Sequence, residues 1–331
     1  MKIILSLMAS MACITCIMGQ VPHYVFQKKI ALPGDGGYDY LYVDQPNHTL
    51  YVSHGTVVHA IDLATQTTVG EVKDLQGVHG IAVVNDIKQG FISDGQANSV
   101  HVFELQTFKP VADIPLSGKN PDAILYDPYS KKIFAFNHSS NNVSVIDPSL
   151  RREVALIELG GSPEFAVSDG KGKIFNNLED KSQLIVIDSK TMKVENTYQL
   201  DPCGGPTGLA LDLLHKRLFT VCRENKGMSV VNMDNGKVVT TVPIGAGVDA
   251  VAYDPTNKLI YSSNGEGTVT IIQQESADTY RVAQTLSTQP RARTMTLDPV
   301  THNIYLSVAE SDPVTRKIKP GTFCVLVYKM Q

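Results

Sequence analysis

Asp122-Ala-Ile-Leu-Tyr-Asp127 is an apolar run that breaks at Pro128-Tyr-Ser-Lys-Lys132, a cluster of turn formers. Ile133-Phe-Ala-Phe-Asn137 follows with period-two alternation, then the polar loop His138-Ser-Ser-Asn-Asn142, then Val143-Ser-Val-Ile-Asp147. Pro148-Ser-Leu-Arg-Arg152 turns the chain again, and Glu153-Val-Ala-Leu-Ile-Glu-Leu159 ends at Gly160-Gly-Ser-Pro163. Four short alternating runs between turn clusters predict a four-stranded antiparallel meander.

The same template fits almost all of the remaining chain. Its first turn recurs as Asp44-Gln-Pro-Asn, Asn85-Asp-Ile-Lys, Asp127-Pro-Tyr-Ser, Ser168-Asp-Gly-Lys, Asp212-Leu-Leu-His, Asp254-Pro-Thr-Asn and Asp298-Pro-Val-Thr, at steps of 41, 42, 41, 44, 42 and 44 residues. A fixed period near forty residues with four strands per repeat is the mark of propeller blades. The expected fold is therefore all-β, a seven-bladed β-propeller of four-stranded antiparallel blades, forming one domain over residues 20–331. At the N-terminus, His23 to Leu32 reads as an alternating strand with no partners before it. The last repeat, from Arg293, has only three strands. The N-terminal strand is thus expected to close the seventh blade and remove an open edge.

Composition narrows the possible roles. Of 331 residues, 43% are hydrophobic and 7% aromatic, with no Trp, which suits Val, Ile, Leu and Tyr packed between sheets. The net charge of −4 and the absence of a basic stripe argue against nucleic acid as a partner. No phosphate-cradling glycine loop lies between a strand and a helix. Residues 1–19 read as a signal peptide: Lys2 precedes an uncharged apolar run from Ile3 to Met18, and Gly19 offers a small residue for cleavage. That run is too short for a membrane span, and no other stretch is long and apolar enough to be one. Cys13 and Cys16 lack the small-residue pattern of a bacterial lipidation site, so a soluble periplasmic or secreted protein is expected ahead of a lipoprotein. An oxidising compartment favours pairing of the remaining cysteines. Cys203 precedes the first strand of a repeat and Cys222 ends its second, on one face, so these two suit a disulfide, with a metal pair as the lesser alternative and Cys324 a buried thiol.

The meander topology says which residues share a surface. Strand-one starts, strand-two ends and inter-blade loops meet on one face, and the first strands lie nearest the axis. The strand-one starts are Asp39, His79, Asp122, Glu164, Thr207, Asp249 and Arg293, six of the seven ionisable. The strand-two ends are read as a second tier of His54, Asp94, Asn137, Asn176, Cys222 and Asn264, with Asn177, Arg223 and Glu266 next in line. Convergent ionisable groups in one funnel suit a binding site. The plain alternative is a hydrated plug of self-paired charges, Arg293 against Asp249, with Asn and Asp serving their own turns.

Within the funnel, Glu164 and Asp122 come from adjacent blades and suit an acid/base pair. His79 is placed to titrate near neutral pH. Arg293, with Arg291 nearby, could hold a carboxylate or an oxyanion. The same set, His79, His54, Glu164 and Asp122, could instead ligate a divalent cation at the funnel, and the cofactor is left open on this ground. Asp39, His54, Asp94, Asn137, Asn176, Thr207, Asp249, Asn264, Arg291 and Arg293 are the expected ligand-binding residues. The longest irregular stretch, Ala309 to Gly321, reads either as a lid or as a surface excursion.

The turn-plus-strand signature Asp254-Pro-Thr-Asn-Lys-Leu-Ile-Tyr-Ser-Ser-Asn-Gly resembles the YVTN-repeat, YncE-like group of exported bacterial β-propellers. Gly-Val-His-Gly80, Asn120-Pro-Asp-Ala123, Gly160-Gly-Ser-Pro-Glu-Phe165 and Ala292-Arg-Thr294 carry the same likeness, which covers essentially the whole mature chain. The resemblance implies seven blades and a periplasmic or cell-surface location. Related propellers include lactone hydrolases, streptogramin lyases and pure scaffolds. Those of the gluconolactonase type hold a divalent cation at the axis, a ligand set that Glu164, Asn176 and Asp249 could imitate, although no motif matches that family residue by residue. Fold alone does not give the activity. Two expectations follow: a small polar ligand, carbohydrate- or lactone-like, bound in the funnel with or without hydrolysis or cleavage; or a non-catalytic scaffold holding another exported protein or the cell surface.

Overall fold

The computed structural model describes residues 23–331. The expected signal peptide, residues 1–19, lies outside them. Seven four-stranded antiparallel sheets are present, six built from consecutive strands and the seventh mixed in chain order. In the first blade the strands are Tyr38–Asp44, Thr49–His54, Val57–Asp62 and Thr68–Val72. The template blade runs through Pro121–Asp127, Lys132–Asn137, Asn142–Asp147 and Arg152–Glu158. In the last blade Met295–Leu297, Ile304–Val308 and Cys324–Met330 are joined by Tyr24–Ala31 as outer strand, in a register running from Tyr24 opposite Met330 to Ala31 opposite Cys324. The ring is closed by its own first strand, as the orphaned half-blades require.

Burial falls from the second strand outward. Thr49–His54 is buried at every position, whereas the outer strand Lys193–Gln199 of the fourth blade is mostly exposed. Each blade is thus an incomplete core that neighbouring blades finish, as in the cluster of Phe134, Phe136, Val143 and Val145 with Ile174, Ile185 and Ile187. Closure is anchored by Tyr24. Its ring meets Tyr261 edge-on with centroids 5.4 Å apart, and its hydroxyl shares a 2.8 Å hydrogen bond with that of Tyr261 and donates to the carbonyl of His302 at 2.7 Å.

The aspartate that marks five of the seven repeats also has a structural task. Asp127, Asp212, Asp254 and Asp298 are buried, and each accepts a backbone N–H from its own turn, such as that of Ser130 at 2.8 Å for Asp127. Each then reaches the next blade. Ser168 Oγ donates to Asp127 at 2.6 Å, Gln274 Nε2 to Asp212 at 2.8 Å, His302 Nδ1 lies 2.7 Å from Asp254, and Gln45 donates to Asp298 across the closure. The period visible in the sequence is therefore the period of inter-blade ties.

Cys203 and Cys222 form a disulfide, and Cys324 is a buried free thiol. Among the described residues no helix is long and apolar enough to cross a membrane.

Candidate functional site

In six blades the first strand opens on a single ladder pair and then loses register before pairing resumes. The breaks fall between Tyr38 and Leu41, Val78 and Ile81, Pro121 and Ile124, Pro163 and Ala166, Pro206 and Leu209, and Val248 and Ala250. A bulge of this kind re-aims a side chain. The residues caught in it are Asp39, His79, Asp122, Glu164, Thr207 and Asp249, the strand-one starts picked out in the sequence. In the seventh blade Arg293 precedes a shortened strand and holds the equivalent place.

A second ring sits above the first. The residue that follows each second strand donates its N–H to an inter-blade loop carbonyl: Gly55 to Gly37, Gly95 to Gly77, His138 to Asn120, Glu179 to Ser162, Arg223 to Gly205 and Gly265 to Gly247, all at 2.7 to 3.0 Å. Three of the six are glycine, and three consecutive blades supply His138, Glu179 and Arg223. Gly95 is required by its neighbour, because a Cβ there would lie 2.8 Å from the His79 ring.

Charges run round the mouth as two linked strings. His79 Nδ1 lies 2.7 Å from Asp39 Oδ2 and 3.5 Å from Asp122 Oδ1. His138 Nε2 lies 3.9 Å from Glu164 and 4.0 Å from Glu179. Arg223 bridges Glu179 at 2.5 Å and Asp249 at 2.6 Å, and Arg293 Nε reaches Asp249 at 3.3 Å. The expected Arg293–Asp249 pairing is thus present, but it belongs to a larger network.

Burial sorts the protons. Desolvation, reinforced by the fields of Asp122, Glu179 and Asp249, pushes the Glu164 carboxyl up to about 10. Desolvation and then Asp39 raise Asp122 to about 7. Asp249 is raised mainly by burial, against the pull of Arg293. Glu179 is held low by His138 and Arg223, with burial opposing, while His138 is raised chiefly by Glu179. Burial works against a charge on His79, yet the Asp39 hydrogen bond and the Asp122 field lift it to about 9. At neutral pH the mouth therefore sets protonated Glu164 beside ionised Glu179, a division of labour suited to an acid and a base.

Two groups each bring three donor atoms within 4.8 Å of one another: Asp39, His79 and Asp122, and His138, Glu164 and Glu179. Carboxylate-rich sets with one imidazole suit a divalent cation. Below the ring the channel is shut. Tyr40 and Phe165, from opposite sides of the ring, meet with centroids 5.4 Å apart. Burial, then the fields of Asp122, Asp39, Glu164 and Asp249, raise the Tyr40 phenol well above its ordinary value. Beside the Asp39–His79 pair a cleft of about 450 Å³ opens between the first two blades, walled by Gly36, Gly37, Gly55 and Gly77 with Gln76 and Gln96 at its sides.

The other expected binding residues lie elsewhere. His54 is buried and stacked on Phe323 with centroids 3.8 Å apart, where desolvation lowers it to about 4. Asp94 accepts the Gln76 N–H at 2.8 Å, as a turn-holding carboxylate does. Asn137 donates to Asn142 and Ser144, and Asn264 to Thr268 and Thr270, inside their own blades. Asn176 donates to the carbonyls of Glu164 and Phe165, so it supports the bulge rather than facing the channel. Thr207 is buried. Arg291 donates to the carbonyl of Arg316 at 3.3 Å and lines an outer cleft with the stretch from Ala309, where Ser311 bridges Ile318.

No protein-family model matches the chain. A relative, "Antigen Lp49" from Leptospira interrogans serogroup Icterohaemorrhagiae serovar copenhageni, is 24% identical over 181 residues, 52% of this chain. The match spans 39% of that protein's own length. What these observations establish together is a seven-bladed β-propeller.

Proposed function

We infer that the chain is an exported propeller, related to the YVTN-repeat, YncE-like group, whose charged mouth binds a small polar ligand of carbohydrate or lactone type. Export is supported by the apolar run behind Lys2 and by the Cys203–Cys222 bridge, a bond that persists in oxidising compartments. One observation carries the ligand reading. In a mouth whose other charges are matched, Asp122 Oδ1 is buried without a hydrogen-bond partner, and Glu164 keeps a proton beside Glu179, with His138 at 3.9 Å the nearest base. Groups left this way find their partners in a ligand. Glu164 and Asp122 serve as donors, Glu179 as the base, His79 as a second proton carrier, and Arg293 with Arg223 as the anion-holding side. The same arrangement supports hydrolysis or cleavage of a bound lactone or glycoside, with Glu164 protonating the leaving oxygen.

The test is a thermal-shift screen of the mature protein against sugars and lactones, repeated on Glu164→Gln and Asp122→Asn. A ligand whose stabilisation disappears in both variants supports the reading. An identical shift in the variants, or none across the panel, overturns it and favours the second reading, a non-catalytic interaction propeller. That alternative draws on the one word "antigen" in the relative's name.

A further inference from the structure

The Tyr40–Phe165 contact divides the axial channel into unlike halves. Above it lies the charged mouth. Below it is a cavity of about 740 Å³, open on the opposite face and lined by the first strands of six blades. Its partly exposed lining includes Tyr42, Leu125, Tyr126, Val167, Leu211 and Tyr253. The Tyr253 hydroxyl is fixed by donation to Gln274 Oε1 at 2.7 Å, so the wall is ordered rather than loosely filled. Leu213 stands half exposed at the mouth, and the turns that ring this opening also expose Tyr129, Leu214 and Val300. Asp169 is the one charged residue of the lining.

We propose that this lower cavity is a second binding site, distinct from the charged mouth, and that it takes an uncharged apolar small molecule such as a long-chain alcohol or its ester. Volume, concavity and lining all match ligand pockets, which are a few hundred to about 1,000 Å³ and mostly apolar. A cavity this size with largely apolar walls is also costly to leave filled by water, because most of its lining cannot hydrogen-bond to it. Charge selects the head group. A carboxylate or phosphate entering would face Asp169 with no basic residue among the lining to meet it, whereas a hydroxyl or ester is indifferent to that field. Apolar side chains concentrated in the turns around one opening extend the same surface outward, so a chain longer than the cavity is deep still finds apolar contact.

The test uses Nile red, an uncharged apolar dye, with the full mature protein. Saturable fluorescence at one dye per chain is expected, displaced by dodecanol and about tenfold less well by dodecanoate. Leu213→Glu at the rim and Val167→Trp inside the cavity are each expected to weaken the dye by about tenfold or more. Leu150→Glu, exposed on an outer turn, leaves it unchanged. Because Leu213 is half exposed, that variant keeps its melting temperature, and it decides the matter if Val167→Trp does not fold. Equal dye binding in Leu213→Glu and wild type, or dodecanoate displacing as well as dodecanol, overturns the proposal. Neither outcome depends on Glu164 or Asp122, so failure here and failure of the sugar or lactone screen are separable.

Discussion

Replacing Glu164 by Gln is expected to make the protein more stable, and by more as the pH rises. The carboxyl is mostly buried and its folded-state value, about 10, lies far above the ordinary 4.5. Between those two values the unfolded chain is ionised at this position and the folded chain is protonated, so unfolding releases a proton. The group's contribution is fully present below the unfolded value and is lost as pH rises toward the folded one, at about 1.4 kcal/mol per pH unit. From pH 6 to pH 9 that amounts to roughly 4 kcal/mol, or a melting-temperature change of about 6 °C for a chain of this length. Gln is neutral in both states and escapes the term. His79 and Asp122, raised to about 9 and about 7, act in the same direction, so wild-type stability alone does not isolate Glu164. The difference between wild type and variant does. Thermal unfolding of both proteins in matched buffers should show their melting temperatures diverging from pH 6 to pH 9, with the variant higher. Parallel curves over that range would refute the account of the mouth as a site that stores a proton on Glu164.

Two further outcomes test the frame that holds the mouth in place. Deleting residues 23–32 removes the outer strand of the seventh blade and leaves Cys324–Met330 as an unpaired edge; size-exclusion chromatography should show oligomers or aggregate in place of a monodisperse species, and a truncated chain that stays monodisperse with an unchanged melting temperature would contradict strand closure. Cys203→Ser opens a loop with a sequence separation of 19 and should cost about 3 kcal/mol, read as a lower melting temperature that reductant no longer changes. Wild type insensitive to reductant under denaturing titration would count against the bridge.

Much of this architecture was legible because the repeat is written in residues with one task each. The turn aspartates recur at a nearly constant step since each must reach the next blade, and a change of spacing would break the tie. The inner ring was legible for a related reason: Tyr, Val or Pro before a polar residue marks where the first strand leaves its ladder, and Asp39, His79, Asp122, Glu164 and Asp249 all sit there. In the upper ring the strand-two ends His54, Asp94, Asn137, Cys222 and Asn264 are true ladder ends, and only the fourth blade departs from the reading. Asn176 appeared to end its strand, but the ladder continues through Asn177 to Leu178, which pairs with Pro163 as Asn137 pairs with Pro121. Counting one residue past each true ladder end yields His138, Glu179 and Arg223; Arg223 is next in line in the sequence reading as well, whereas His138 and Glu179 are not among its site residues. His54 was misplaced for a different reason. It stacks on Phe323, 269 positions away in sequence, and no local pattern announces that contact.

The two rings correct one another, and this is where the mouth acquires its asymmetry. Thr207 breaks the run of ionisable residues in the inner ring and is buried. The charge missing there is supplied from above by Arg223 of the same blade, whose guanidinium spans from Glu179 in the preceding blade to Asp249 in the following one. On the opposite side Gly55 and Gly95 carry no side chain at all, and Gly265 leaves a further gap beside the bridge. A bridge over the fifth blade and an open wall at the first and second give an approaching ligand one side of fixed charge and one of free backbone. The cleft beside Asp39 and His79 lies on the open side, while Glu164 and its proton lie toward the bridged one. A ligand that enters over the glycines therefore meets the Asp39–His79 pair before it reaches Glu164. Substitutions at His79 should slow its entry, whereas substitutions at Glu164 should weaken the hold on the bound ligand and speed its release.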